Sequence, residues 1–119
     1  MVVGTSSASA AITSFTVNDK ASVQLDGTVV VVSGFVQCDF GDTIQIGSSV
    51  FQNKGQLQIQ GFGNTGTITC TGSLQMWSVP VQVFVGEAFK HGQASSVSSV
   101  FDFTDGTVIS VDQNLKLGN

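Results

Sequence analysis

Two cysteines, one histidine, one tryptophan and eight carboxylates are the side chains in this 119-residue sequence whose types can carry chemistry. Cys38 and Cys70 each end an alternating stretch (Phe35-Val36-Gln37-Cys38 and Thr67-Ile68-Thr69-Cys70), and a glycine turn follows each. An even cysteine count without metal-ligand spacing, in a small chain of short strands, predicts one structural disulfide and an oxidising compartment. A single histidine, His91, with both cysteines committed to a bridge cannot assemble a zinc or copper site. No nucleophile elbow surrounds any serine. The carboxylates Asp19, Asp26, Asp39, Asp42, Glu87, Asp102, Asp105 and Asp112 lie mostly beside Gly or Asn, where short acidic side chains stabilise turns through their own backbone. Asp39 with Asp42, or Asp102 with Asp105, has the spacing to grip calcium together with loop carbonyls. Neither has the ligand density of a recognised calcium loop, so turn chemistry is expected there. The expectation is no catalytic residue, no metal and no cofactor: a protein that is not an enzyme.

Aromatic side chains are the remaining candidates for ligand contact. Trp77 is the single tryptophan and tyrosine is absent, so its most economical place is the core near the disulfide. If exposed, it would be a platform for a sugar ring. Phe62, in the glycine-rich run Gly61-Phe62-Gly63-Asn64-Thr65-Gly66, is the second candidate ligand contact. Thr65, Thr67, Thr69 and Thr71 share one face, but one strand of threonines is not an ice-binding array.

Composition narrows the classes further. Only 10% of residues are charged while 41% are hydrophobic, against about 25% charged in an average domain. Ser, Thr, Gln and Asn therefore coat the surface, and Val, Ile and Phe are too many for a disordered chain. A net charge of −4 with four lysines excludes the basic stripe that nucleic acid requires, and it disfavours an anionic membrane surface. No stretch approaches the roughly 20 apolar residues of a membrane span.

Two-residue periodicity runs through the chain. Strands are expected at 12–17, 21–25, 28–38, 43–52, 56–60, 67–70, 74–85, 94–103 and 107–117. Asp26-Gly27 and Asp105-Gly106 supply tight turns, and 61–66 supplies a loop. The run Val29-Val30-Val31-Val32 predicts a central strand. Pro80, inside a strand, marks an edge, a bulge or a crossing between sheets. Residues 12–119 read as one antiparallel β-sandwich of eight or nine strands. Residues 1–11 read as a leader or an exchanged strand, since Ser7-Ala8-Ser9-Ala10-Ala11 resembles a cleavage region without the preceding segments of a signal.

The pattern Asp26-Gly27-Thr28-Val29, Val32-Ser33-Gly34-x-Val36-x-Cys38, Val50-x-Gln52, Gly61-x-Gly63, Cys70-x-Gly72, Trp77 and Phe89-x-x-Gly92-x-Ala94 resembles a family of small secreted bacterial proteins of unknown function. The resemblance implies an immunoglobulin-like sandwich with a Cys38–Cys70 bridge and Trp77 in or near the core, and it implies no catalytic residues. The functional expectation is a secreted or cell-surface structural or adhesive module. It would assemble into homo-oligomers or filaments by adding residues 2–17 to a neighbour's open edge. The alternative is an extracellular binding module for a glycan or small apolar ligand.

Overall fold

The structure, a computed structural model, describes residues 12–118. Eight strands follow in order: β1 (Ile12–Val17), β2 (Lys20–Gln24), β3 (Val29–Cys38), β4 (Thr43–Lys54), β5 (Leu57–Thr69), β6 (Leu74–Val85), β7 (Gly92–Asp102) and β8 (Val108–Gly118). They are not two packed antiparallel layers. Strands β3-β2-β8-β7-β4-β5-β6 pair in succession and β6 pairs back to β3, which closes a seven-stranded mixed barrel. The immunoglobulin-like sandwich expected from the sequence is thereby corrected. The join that makes the difference is parallel: Lys20, Ala21 and Ser22 pair with Lys116, Leu117 and Gly118. Contact between the two chain ends leaves no mark in local periodicity, which shows strands but not their partners.

Strand β3 is the axis of the arrangement. Along one edge it pairs with β6 from Val29 to Gln37. Its other edge is shared, with Val29–Val31 taken by β2 and Gly34–Cys38 by β1. Inward-facing residues recur every second position, as the pleat demands. Val30, Val32, Val36, Ile44, Ile46, Val50, Val79, Val81 and Val100 are completely buried. A barrel of this size is filled by its own side chains. The β-branched residues that dominate it suit a stiff, pleated wall.

Glycines set two close approaches. At Gly34 a Cβ would collide with the Thr16 carbonyl and the Trp77 ring, so only glycine lets β1 lie on β3 here. At Gly63 it would collide with the Pro80 carbonyl. The run 61–66, expected as a loop, is instead part of the thirteen-residue strand β5, with a bulge against β4 between Gln45 and Gly47. The Val83 amide donates to Thr28 of the β3 side, so by strand alternation the position of Pro80 directs its missing N–H toward β5. The β5–β6 ladder ends at Gln60–Phe62, which leaves no bond for that donor to make.

Cys38 and Cys70 are disulfide-bonded with Cα atoms 5.5 Å apart, both buried at one end of the barrel. The opposite end is shut by Gln52. Its amide accepts from the Lys90 N–H at 2.8 Å and donates to the Lys90 and Gln93 carbonyls at 2.8 and 3.3 Å, pinning the β6–β7 connection. Phe89 is buried beneath that connection.

With 32 residues separating the cysteines, the chain-entropy model gives the bridge about 3–4 kcal/mol of stability. The Cys38→Ala/Cys70→Ala variant is expected to lose that amount in urea unfolding, with the native β spectrum retained in the absence of denaturant.

Candidate functional site

The disulfide end concentrates the unusual chemistry. Asp102, the last residue of β7, pairs in register with Ile44, and its inward parity buries it fully. Its Oδ1 accepts the Thr104 N–H at 2.7 Å, while its backbone N–H and C=O bond Thr107 and Gly106. The side chain thus organises the β7–β8 turn. Its other carboxylate oxygen, Oδ2, is buried without a partner. Asp42 stands two residues before Ile44, just ahead of β4, and is half-buried. Its carbonyl accepts the Cys70 N–H at 2.8 Å and its N–H donates to Asp39 at 3.0 Å. The two pairs that the sequence places in separate turns, Asp39/Asp42 and Asp102/Asp105, lie close enough for the other three to act on the Asp42 carboxyl.

This proximity pushes the Asp42 carboxyl up to about 6 from its ordinary 3.8, first through a hydrogen bond with the Asp102 carboxyl, then through burial and the charges of Asp102, Asp39 and Asp105. Two ionised carboxylates cannot hydrogen-bond each other, so the bond requires a proton on one of them. A proton on Asp42 meets that requirement. Asp105 is held below its ordinary value by hydrogen bonds from the side chain and backbone of Thr107. Among the described residues no group of three or more His, Cys, Asp or Glu side chains is arranged as a metal site.

Trp77 is 3% exposed and stacks on Phe15, ring centroids 5.5 Å apart. Its ring face is therefore unavailable to a ligand, which corrects its candidacy as a contact. Phe62 is half exposed and leans over Gly47, where a Cβ would lie 3.5 Å from its ring. With Phe101 it walls a shallow trough of ≈ 360 Å³ on the outer face of β4, β5 and β7, floored by Gly47 and Ser49 and edged by Gln45, Asn64 and Ser99. His91 is exposed in the β6–β7 connection.

The line between β1 and β8 is not laddered. Strands β1 and β2 lie end to end on the same edge of β3, yet only β2 pairs with β8. The Asp102 N–H bonds Thr107, and the β7–β8 register then turns the backbone groups of Ile109, Val111, Gln113 and Leu115 toward β7. Those of Ser110, Asp112 and Asn114 face the other way, toward β1. The Asn18 N–H bonds Ser33, so the same alternation turns the groups of Phe15 and Val17 away from β3. Among the described residues no β1–β8 ladder joins these edges. Beneath the seam the inward side chains Phe15, Ile109 and Val111 are only partly buried. Sequence reading missed this seam because it arises from closure, not from any motif. Residues 1–11, expected as a leader or exchanged strand, lie outside the described residues.

Large exposed apolar side chains cluster at the barrel's ends. Phe40, Leu74, Met76, Phe103 and Val108 ring the disulfide end, and Leu25, Leu57, Phe84 and Val85 ring the other. No family model, curated protein or solved structure matches this chain. No helix among the described residues is long and apolar enough to cross a membrane.

The sign of the Asp42 shift fixes a pH dependence. A carboxyl at about 6 when folded and 3.8 when unfolded lets the folded protein keep a proton that the unfolded chain has lost. Its contribution is complete below about pH 4 and disappears as pH rises through 6. Thermal unfolding is expected at a higher temperature at pH 5 than at pH 7.5. Asp42→Asn, whose amide can donate to Asp102 at either pH, is expected to flatten that difference.

Proposed function

We propose that this protein is a secreted or cell-surface structural module that assembles by reciprocal exchange of residues 1–11 between copies. The observation that carries the reading is the β1–β8 seam, where the backbone groups of Phe15 and Val17 face those of Ser110, Asp112 and Asn114 without a ladder. Such bare edges are templates for an added strand. Chain direction favours a second copy as the source. Strand β1 begins at the disulfide end, which is where residues 1–11 are covalently joined to the barrel. Returning into their own seam would need a tight turn immediately before Ile12. The residues at that point, Ala8-Ser9-Ala10-Ala11, contain none of the Gly, Asn or Asp that such turns use.

A second copy docked disulfide end to disulfide end receives the segment without a turn. There it runs antiparallel to both flanking strands, with about six residues, roughly 20 Å, matching the length of β1. A two-fold exchange of this kind is a low-cost route to a dimer. It also covers Phe40, Leu74, Met76, Phe103 and Val108, whose exposure is otherwise unfavourable in water. The similar apolar ring at the far end gives dimers a second face through which to join into filaments. The disulfide is compatible with the extracellular setting that this role requires.

Light scattering on the oxidised full chain is expected to give a dimer or larger species, and the 12–119 chain a monomer. A synthetic peptide of residues 1–11 should raise the unfolding temperature of the truncated chain. A monomeric full chain, or a truncated chain that associates equally well, overturns the reading.

The second reading, an extracellular ligand-binding module, is favoured by the Phe62–Phe101 trough, where aromatic faces alternate with the amides and hydroxyls of Gln45, Asn64 and Ser99. A pyranose presents matching apolar and hydroxyl faces. On this reading, NMR titration with methyl pyranosides shifts the amides of β4 and β5, and Phe62→Ala weakens the interaction by about tenfold. Absence of shifts at millimolar sugar removes it.

A further inference from the structure

We infer that the far end of the barrel is a self-complementary interface, in which Leu25 of one copy seats in the recess beside Leu25 of a second copy. The inference rests on the assembly reading above and deepens it, naming the contact through which exchanged dimers join. It starts from backbone strain. Leu25 and Asp26 hold φ values of 51° and 56°, and Gly27 follows at 88°, so the β2–β3 turn is left-handed through three residues. Glycine adopts that conformation freely, whereas a Cβ makes it costly, above all on a bulky residue such as leucine. Neighbouring groups hold the turn in place. The Thr28 N–H and hydroxyl donate to the Leu25 carbonyl at 3.1 and 2.8 Å, and the Phe89 N–H donates to the Gly27 carbonyl at 2.8 Å. Strain sustained in this way concentrates at functional positions. Its result here is to present a leucine to water, 71% exposed.

Beside Leu25 lies its counterpart. The turn and the β6–β7 connection border a recess of ≈ 360 Å³. Buried Gly27 and Phe89 form its floor, and exposed Asp26, Lys90 and His91 stand at its rim. Gln52 holds Lys90 from within through its backbone N–H and C=O, so both walls are fixed before any contact forms, which lowers the cost of association. A knob and a hole side by side on one surface are what a two-fold contact requires, since each copy then supplies both. The charges obey the same symmetry. Asp26 stands on the turn and Lys90 on the connection, so a two-fold axis at the recess sets Asp26 of one copy against Lys90 of the other. Leu57, Phe84 and Val85, exposed at the same end, extend the apolar contact. The exchange already occupies the disulfide end, which leaves the far end of a second copy as the partner.

The test is analytical ultracentrifugation of the full-length oxidised protein from dilute to concentrated solution, with Leu25→Asn beside the wild type. Asparagine tolerates the left-handed region, so the variant should match or exceed the wild-type unfolding temperature while losing the apolar knob. The wild type is expected to grow with concentration beyond its smallest species. Leu25→Asn should lower the association constant of that step by at least about tenfold. Lys90→Glu should weaken it as well, and Asp26→Lys combined with Lys90→Glu should restore it. The smallest species reports separately on the exchange: a dimer if residues 1–11 are exchanged, a monomer if they are not. The far-end step is read above either one. A wild-type protein that does not grow with concentration overturns the inference. So does unchanged growth in folded Leu25→Asn, or a folded charge-swapped protein in which association is not restored.

Discussion

Three residue pairs between Lys20–Ser22 and Lys116–Gly118 turn a sheet into a barrel, and the rest of the architecture follows from where that short parallel join falls. Because β2 and β8 meet only at one end, β1 is left alongside the remainder of β8 without a ladder. Because β3 must carry β6 on one edge and both β1 and β2 on the other, it needs Gly34 where β1 and Trp77 crowd its backbone. Closure also removes most of the free edges that an open sheet would present. The β1–β8 seam is one place where unpaired edges persist; the β5–β6 side, laddered only at Gln60–Phe62, is another.

The interior shows the same division between a finished end and an unfinished one. Gln52 satisfies three backbone groups of Lys90 and Gln93, Ser48 and Ser98 share a hydrogen bond of 2.8 Å, and Ser96 donates to the Gln113 carbonyl. Buried polar groups in a folded chain are ordinarily paired in this way. Among the described residues the exceptions are Trp77 Nε1 and Asp102 Oδ2. Phe15 covers the Trp77 ring, and the structure offers its indole N–H no acceptor. Asp102 differs because a second carboxyl faces it, so its unmet valence has a chemical answer. A local rule broken in an otherwise consistent fold is where function is to be sought.

Much of this was legible in the sequence, and the failures have a common cause. Alternation located β1, β3, β6 and the β7–β8 hairpin within a residue or two, and the cysteine count gave the bridge. It failed at Gly61–Gly66, where glycines read as a loop because turns and close backbone contacts use the same residue. It failed again at closure, since pairing between residues 20–22 and 116–118 has no local signature. The acidic pair was half visible. The sequence Ser96-x-Ser98-x-Val100-x-Asp102 already places Asp102 on the inward parity of its strand, an unusual site for a carboxylate. That Asp42 would meet it depends on the β4–β7 register, which only the fold supplies.

The assembly proposed for the disulfide end carries an electrostatic cost. Docking two copies face to face there covers apolar side chains, which favours association. It also brings two sets of Asp39, Asp42, Asp102 and Asp105 toward one interface, and like charges moved out of water oppose it. Hydrophobic contact and strand pairing must outweigh that repulsion unless the carboxylates are neutralised. A proton on Asp42 does this in part. On the proposed assembly the acidic group is then a condition on association, which is favoured below about pH 6, where Asp42 holds its proton.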